Sequence, residues 1–218
     1  MSIKNYFYII KSLFFISFIM LLGFSINAYA KNKDFHSSCF DISLADNLNL
    51  IEKTEEKNNG FYRYIFSSAN NENAALQMRV IVSNKKPEAN QSLEDFQTAA
   101  IGAMTSMFMD SYKLYQYINT PENKKVLSEK PYQLKLGNTS LTGATMYFGN
   151  IDASFLVTRA NNMTYAFTLV SKSNNAQIRK NNLKALTEQL QSIKFYSCFE
   201  TRVIPSVLKN TGLTHRLN

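Results

Sequence analysis

The chain has 218 residues, a net charge of +8, two cysteines, two histidines and no tryptophan, a length that suits one domain with a core of its own. Its basic runs are no longer than pairs (Lys85-Lys86, Lys124-Lys125, Arg179-Lys180), and this scatter argues against a nucleic-acid interface, which needs a Lys/Arg stripe. The sequence contains no H-E-x-x-H, C-x-x-C, G-x-S-x-G or G-x-G-x-x-G, so the familiar zinc, redox, nucleophile-elbow and dinucleotide patterns are missing and neither metal nor cofactor is expected.

Residues 1–30 carry the order of a cleavable export signal. Lys4 and Lys11 form a basic start, Ser12 to Phe24 is apolar, and Ala28-Tyr29-Ala30 supplies the small residues a signal peptidase reads. Cleavage is expected between Ala30 and Lys31. It would remove two lysines and no acid and leave 188 residues at +6, with nothing after Ala30 apolar enough to span a bilayer. An exported chain with two cysteines predicts a disulfide between Cys39 and Cys198, closing a single domain over 31–198. Residues 199–218 then form a basic tail.

In chain order, Lys31 to Ser38 reads as a frayed polar lead-in. Cys39 to Leu44 reads as a strand with Phe40, Ile42 and Leu44 on one face, and Leu48 to Glu52 as a short second strand. Thr54 to Gly60 reads as a charged turn ending in Asn-Asn-Gly. Phe61 to Phe66 and Ala75 to Ser83 alternate with period two, placing Tyr62, Tyr64, Phe66, Met78, Val80 and Val82 inward. These strands imply an antiparallel sheet with one buried face.

Helical period follows. Ser92 has the position of an N-cap with Asp95 three residues on, and Leu93, Phe96, Ala100, Met104, Met107 and Phe108 form an apolar stripe ending near Asp110. Tyr112 to Asn119, rich in tyrosine, reads as a strand. Val126 to Glu129 and Tyr132 to Leu136 flank Pro131 and read as broken or edge strands. Leu141 to Val170 reads as a three-stranded meander punctuated by Gly149-Asn150 and Asn161-Asn162, residues that tolerate the positive φ of tight hairpins. A second amphipathic helix carries Ile178, Leu183, Leu186, Leu190 and Ile193. Both helices are expected to cover one face of the meander. The other face, holding Thr142 or Thr145 and Thr158 or Arg159 according to register, is left as the binding surface, with Arg159, Thr158 and Tyr165 its candidates. For Arg159 a structural ion pair with an acid is the stronger expectation.

The fold class is thus α+β, an antiparallel sheet with two main amphipathic helices. The segments Phe40-Asp41-Ile42-Ser43-Leu44, Leu76 to Val82, Ser92-Leu93-Glu94-Asp95-Phe96, Thr164 to Leu169 and Leu186 to Phe195 follow one another in an order that resembles the PsbP/Mog1-like fold, including the DcrB-like periplasmic proteins, over residues 39–197. The resemblance implies an α/β/α sandwich and an accessory or binding role without catalytic residues.

The two histidines, His36 and His215, fall in the segments read as tails, where nothing holds them in register beside a nucleophile. The function expected is an exported, non-enzymatic periplasmic binding or accessory protein with a protein or cell-envelope partner. The alternatives are an immunity protein neutralising a periplasmic toxin, and a small hydrolase using carboxylates such as Asp110 or Asp152.

Overall fold

The computed structural model describes residues 32–69, 75–128 and 130–198. The expected signal sequence with its expected Ala30–Lys31 junction, and residues 199–218, expected as a basic tail with His215, lie outside them.

A seven-stranded antiparallel sheet dominates, in the order β3-β4-β5-β9-β8-β7-β6. Its strands are β3 (Asn49–Glu56), β4 (Phe61–Ser67), β5 (Leu76–Ser83), β6 (Tyr132–Leu136), β7 (Thr139–Phe148), β8 (Ile151–Ala160) and β9 (Met163–Lys172). The expected meander is β7-β8-β9, and its turns use the predicted residues: φ is +64° at Gly149, +49° at Asn161 and +64° at Asn162. A second sheet of three strands, in the order β1-β2-β10, joins β1 (Asn32–His36), β2 (Phe40–Ala45) and β10 (Lys194–Phe195).

Three α-helices lie among the described residues: α1 (Leu93–Tyr112), α2 (Pro121–Ser128) and α3 (Ala176–Gln189). Ser92 caps α1 as expected, its side chain accepting a hydrogen bond from Asp95 N at 3.0 Å, an interaction worth about 1 kcal/mol. Asn175 caps α3 by accepting from Gln177 N and Ile178 N.

The large sheet is buried on both faces, not one. Even-numbered Met78, Val80 and Val82 of β5 and odd-numbered Tyr165, Phe167 and Leu169 of β9 share a face with α3 and the small sheet. Ala144, Met146 and Phe148 of β7 and Ala153, Phe155 and Val157 of β8 share the opposite face with Ile101, Phe108 and Met109 of α1. The two long helices therefore lie on opposite faces, α1 against β7 and β8 and α3 against β8 and β9. This is the layer order of an α/β/α sandwich and corrects the expectation that both helices cover one face.

Local departures from the sequence reading have local causes. Asn32–His36 is an edge strand paired to β2, its side chains exposed or half-buried, so its polarity marked an edge rather than a frayed end. Strand β3 runs on to Glu56, and only Lys57–Asn59 turn before Gly60 at φ +59°. The tyrosine-rich segment is no strand: α1 stops at Lys113, in the left-handed region, and Tyr115–Tyr117 form a 3-10 turn. Val126 belongs to α2, while Tyr132–Leu136 is the edge strand expected after Pro131.

Candidate functional site

The uncovered part of the sheet lies on the α3 face, between that helix and the β6 edge. There the strands carry small polar residues instead of the bulky apolar ones found nearer β4 and β5. Thr145 and Ser154 sit opposite each other on β7 and β8, and their hydroxyls are 2.8 Å apart. They floor a groove of about 390 Å³, within the range of small-ligand sites.

Two tyrosines wall it, each 42% exposed. Tyr132 comes from β6, and its ring lies across Gly143 of β7, where a Cβ would meet the ring carbon Cζ at 2.8 Å. Any larger residue at 143 would lift the ring from the strand. Tyr147 lies beyond the residues of β7 that pair with β6, and Asn123 of α2 stands in for the missing strand. Asn123 donates to Tyr147 O at 2.7 Å and accepts from Tyr147 N at 2.9 Å, while a third bond, donated to Tyr117 O at 2.8 Å, holds the amide in place. The Tyr147 phenol is pushed above its ordinary range by burial, then by the Asp152 charge.

The opposite rim is α3, with Lys180, Lys184 and Thr187 facing the groove. Asn182 donates to Ser171 Oγ at 3.0 Å and keys this helix to β9. At the closed end Arg179 Nε donates to Asp152 Oδ1 at 2.8 Å and Arg179 Nη1 to Ser173 O at 2.6 Å. The two side chains are 10% and 4% exposed, so this is a buried ion pair. Burial drives the Asp152 carboxyl above its ordinary value, and Arg179 pulls it part of the way back. The groove thus presents hydroxyls, aromatic faces and ammonium groups, while its one buried carboxylate is committed to Arg179.

The residues named in advance are dispersed. Thr158 and Tyr165 face the α3 side but are fully covered, so they form no surface: Thr158 donates to Ser140 O at 2.8 Å. Arg159 lies on the other face and donates to the carbonyls of Lys85 and Asn162 and to Thr164 Oγ1. It staples the β8–β9 turn to the segment after β5 through carbonyl oxygens, in place of the acid partner expected. Among the four alternatives raised by register, Thr145 alone lines the groove. Asp110 is on α1, across the sheet from Asp152, and bonds to the Tyr115 hydroxyl, so the two carboxylates cannot act together. His36 pairs with Asp41 at 3.1 Å at the edge of the small sheet.

Tyr165 is a clasp. Its hydroxyl donates within reach of Cys39 O (3.0 Å) and Tyr196 O (2.7 Å), tying the large sheet to both ends of the Cys39–Cys198 disulfide segment. Tyr165→Phe is expected to lose about 1–3 kcal/mol in urea unfolding, because the acceptors stay buried without their donor. Burial raises this phenol above the ordinary tyrosine value of 10.0. The folded chain keeps a proton that the unfolded chain releases, so the clasp's contribution is full below about pH 10 and declines as pH rises further. The alkaline decline should be shallower in Tyr165→Phe; equal slopes would count against the clasp.

No family model matches the chain, and no curated protein matches it. Among solved structures it is similar to the solution structure of cyanobacterial PsbP from Synechocystis sp. PCC 6803, at 10% identity and a TM-score of 0.48, over 79% of this chain and 96% of that one. It is also similar to a crystal structure from Bacteroides thetaiotaomicron VPI-5482, at 14% identity and a TM-score of 0.43, over 75% of this chain and 48% of that one. The chain spans about half the length of the Bacteroides protein. Neither likeness carries a residue role over to this chain.

Proposed function

We propose that this protein is an exported binding domain without catalytic chemistry, and that the groove between α3 and the β6–β7 edge receives a polyhydroxylated, anionic ligand of the cell envelope. The observation that carries the reading is the make-up of the groove. Tyrosine faces at Tyr132 and Tyr147 suit the apolar faces of sugar rings, paired hydroxyls on Thr145 and Ser154 suit sugar hydroxyls, and Lys180 and Lys184 suit acidic substituents. The carboxylate that a hydrolase would need is neutralised by Arg179 and held away from acid–base work. Export is supported by the Cys39–Cys198 disulfide, since such bonds persist in oxidising compartments.

The test is the affinity of the purified protein for soluble fragments of anionic envelope glycan. Tyr147→Ala should weaken binding at least about tenfold, a loss of ~1.4 kcal/mol, with an unchanged circular-dichroism spectrum. Lys180→Glu should weaken binding and reduce its salt dependence. Equal affinity in both variants, or cleavage of the fragments by the wild type, would defeat the reading.

A further inference from the structure

The opposite face of the sheet holds a second cavity that the groove does not explain. Helix α1 crosses β7 and β8 and leaves β4 and β5 less covered. Under its C-terminal half a cavity of about 150 Å³ opens, with Arg63 and Arg79 on the sheet side and Met104, Met107 and Phe108 on the helix side. Ile65 and Ile81 extend the apolar wall, and Ser111 and Thr168 add two hydroxyls to the lining.

The two arginines differ: Arg63 has a carboxylate partner but an unsatisfied donor, and Arg79 has no carboxylate partner among the described residues. Arg63 Nη2 meets Glu52, but its Nε is buried and has no hydrogen-bond partner among the described residues. Arg79 donates to Gln77 Oε1 and to the Tyr112 hydroxyl at 3.2 Å, and its guanidinium lies 5.8 Å from the Tyr112 ring. These partners are neutral, and no carboxylate among the described residues pairs with Arg79. The last carbonyls of α1, on Met109 and Asp110, accept from Leu114 N and Lys113 N. A half-buried guanidinium without a counter-charge is costly, and an anion entering this cavity would relieve it.

We propose that this cavity binds a short aliphatic carboxylate, its head group between Arg79 and Arg63 and its chain against Met104, Met107 and Phe108. The wall selects the class. An inorganic anion would leave the apolar side unused, and a neutral alcohol would leave the arginines unsatisfied. A cavity of about 150 Å³ suits a short acyl chain and not a long one. Met107, 66% exposed at the rim, is unbranched and can follow the chain's shape.

The experiment is a calorimetric titration of the purified protein with hexanoate, hexanol and inorganic phosphate. Hexanoate is expected to bind with a dissociation constant below about 10 mM, the range open to so small a ligand. Hexanol and phosphate are each expected to bind at least tenfold more weakly. Arg79→Gln should abolish the hexanoate signal, Arg79→Lys should retain part of it, and Tyr147→Ala in the groove should leave it unchanged. No hexanoate heat up to that concentration, phosphate binding as tightly as hexanoate, or full binding by Arg79→Gln would each overturn the proposal. Because the groove variant is silent here, failure of this site and failure of the glycan-binding reading are separable.

Discussion

Replacing Cys39 and Cys198 together by alanine is expected to remove up to about 5 kcal/mol of stability and to lower the thermal midpoint by up to roughly 10–20 °C. The bond joins positions 159 residues apart, so it closes almost the whole described chain into one loop. Releasing so long a loop returns a large entropy to the unfolded chain. The upper figure assumes no residual structure in that chain, which is why the expected loss is a ceiling. The bond's surroundings add to its effect. Phe195 pairs with Phe40 across β10 and β2, and Tyr196 N donates to Cys39 O at 2.7 Å. The disulfide therefore holds the short β10 where its two residues could not hold themselves. Wild-type protein treated with a reductant should approach the double variant, and mass spectrometry of untreated protein should find no free thiol. A midpoint unmoved by both reductant and substitution would show that the strands close without the bond.

Arg179→Met is the second large effect, about 3–5 kcal/mol at neutral pH, and it should depend on pH. The substitution leaves the Asp152 carboxylate buried on β8 without its cation. Burial already pushes that carboxyl upward in the wild type, and Arg179 is what pulls it down. In the variant the folded-state value rises further above 3.8, the ordinary one. A carboxyl with a raised folded value costs nothing below its unfolded value and costs progressively more as pH rises toward the folded one. The deficit of Arg179→Met should therefore shrink as pH falls from 7 toward 4. Adding Asp152→Asn to Arg179→Met should restore much of the loss at pH 7 and flatten the profile, since the amide carries no charge. Urea midpoints at the two pH values decide it. A deficit of the same size at both would mean that lost packing, not the stranded carboxylate, sets the cost.

The meander was legible because its punctuation is chemical. Gly149 and the Asn161-Asn162 pair occupy backbone conformations that most residues avoid, and the alternation between them fixes the register. The two-sided burial was not legible. Thr142 looks solvent-facing by pattern, yet it is buried and donates to Gln97 of α1 at 2.7 Å. The same bond rotated the reading of α1. Its buried face includes Gln97 and Thr105 beside Phe108, while Leu93 and Met107 stay exposed, so the apolar stripe drawn by residue type holds for Phe96, Ala100, Met104 and Phe108 and misses at its two other members. Tyr112 to Asn119 was read by aromatic β-preference, which lost to the left-handed stop at Lys113.

The groove was hidden for a different reason. Its walls come from residues 132 and 147 and its rim from 180 and 184, brought together only by strand register and helix placement. One signal was available in advance: Gly143 in a strand interior, which often marks a close approach, here by the Tyr132 ring. The pairing of Asp152 with Arg179 had no such marker, since helix and strand are joined across 27 positions.

The central claim is that ligand binds on the α3 face at the β6–β7 edge. A two-dimensional amide NMR titration of the labelled protein with anionic glycan fragments tests it most directly. Saturable shifts are predicted at Thr145, Tyr147, Ser154, Lys180 and Lys184, with Met104 and Arg79 unmoved across the sheet. Shifts confined to the α1 face, or spread over the lysine-bearing surface without saturation, would contradict it.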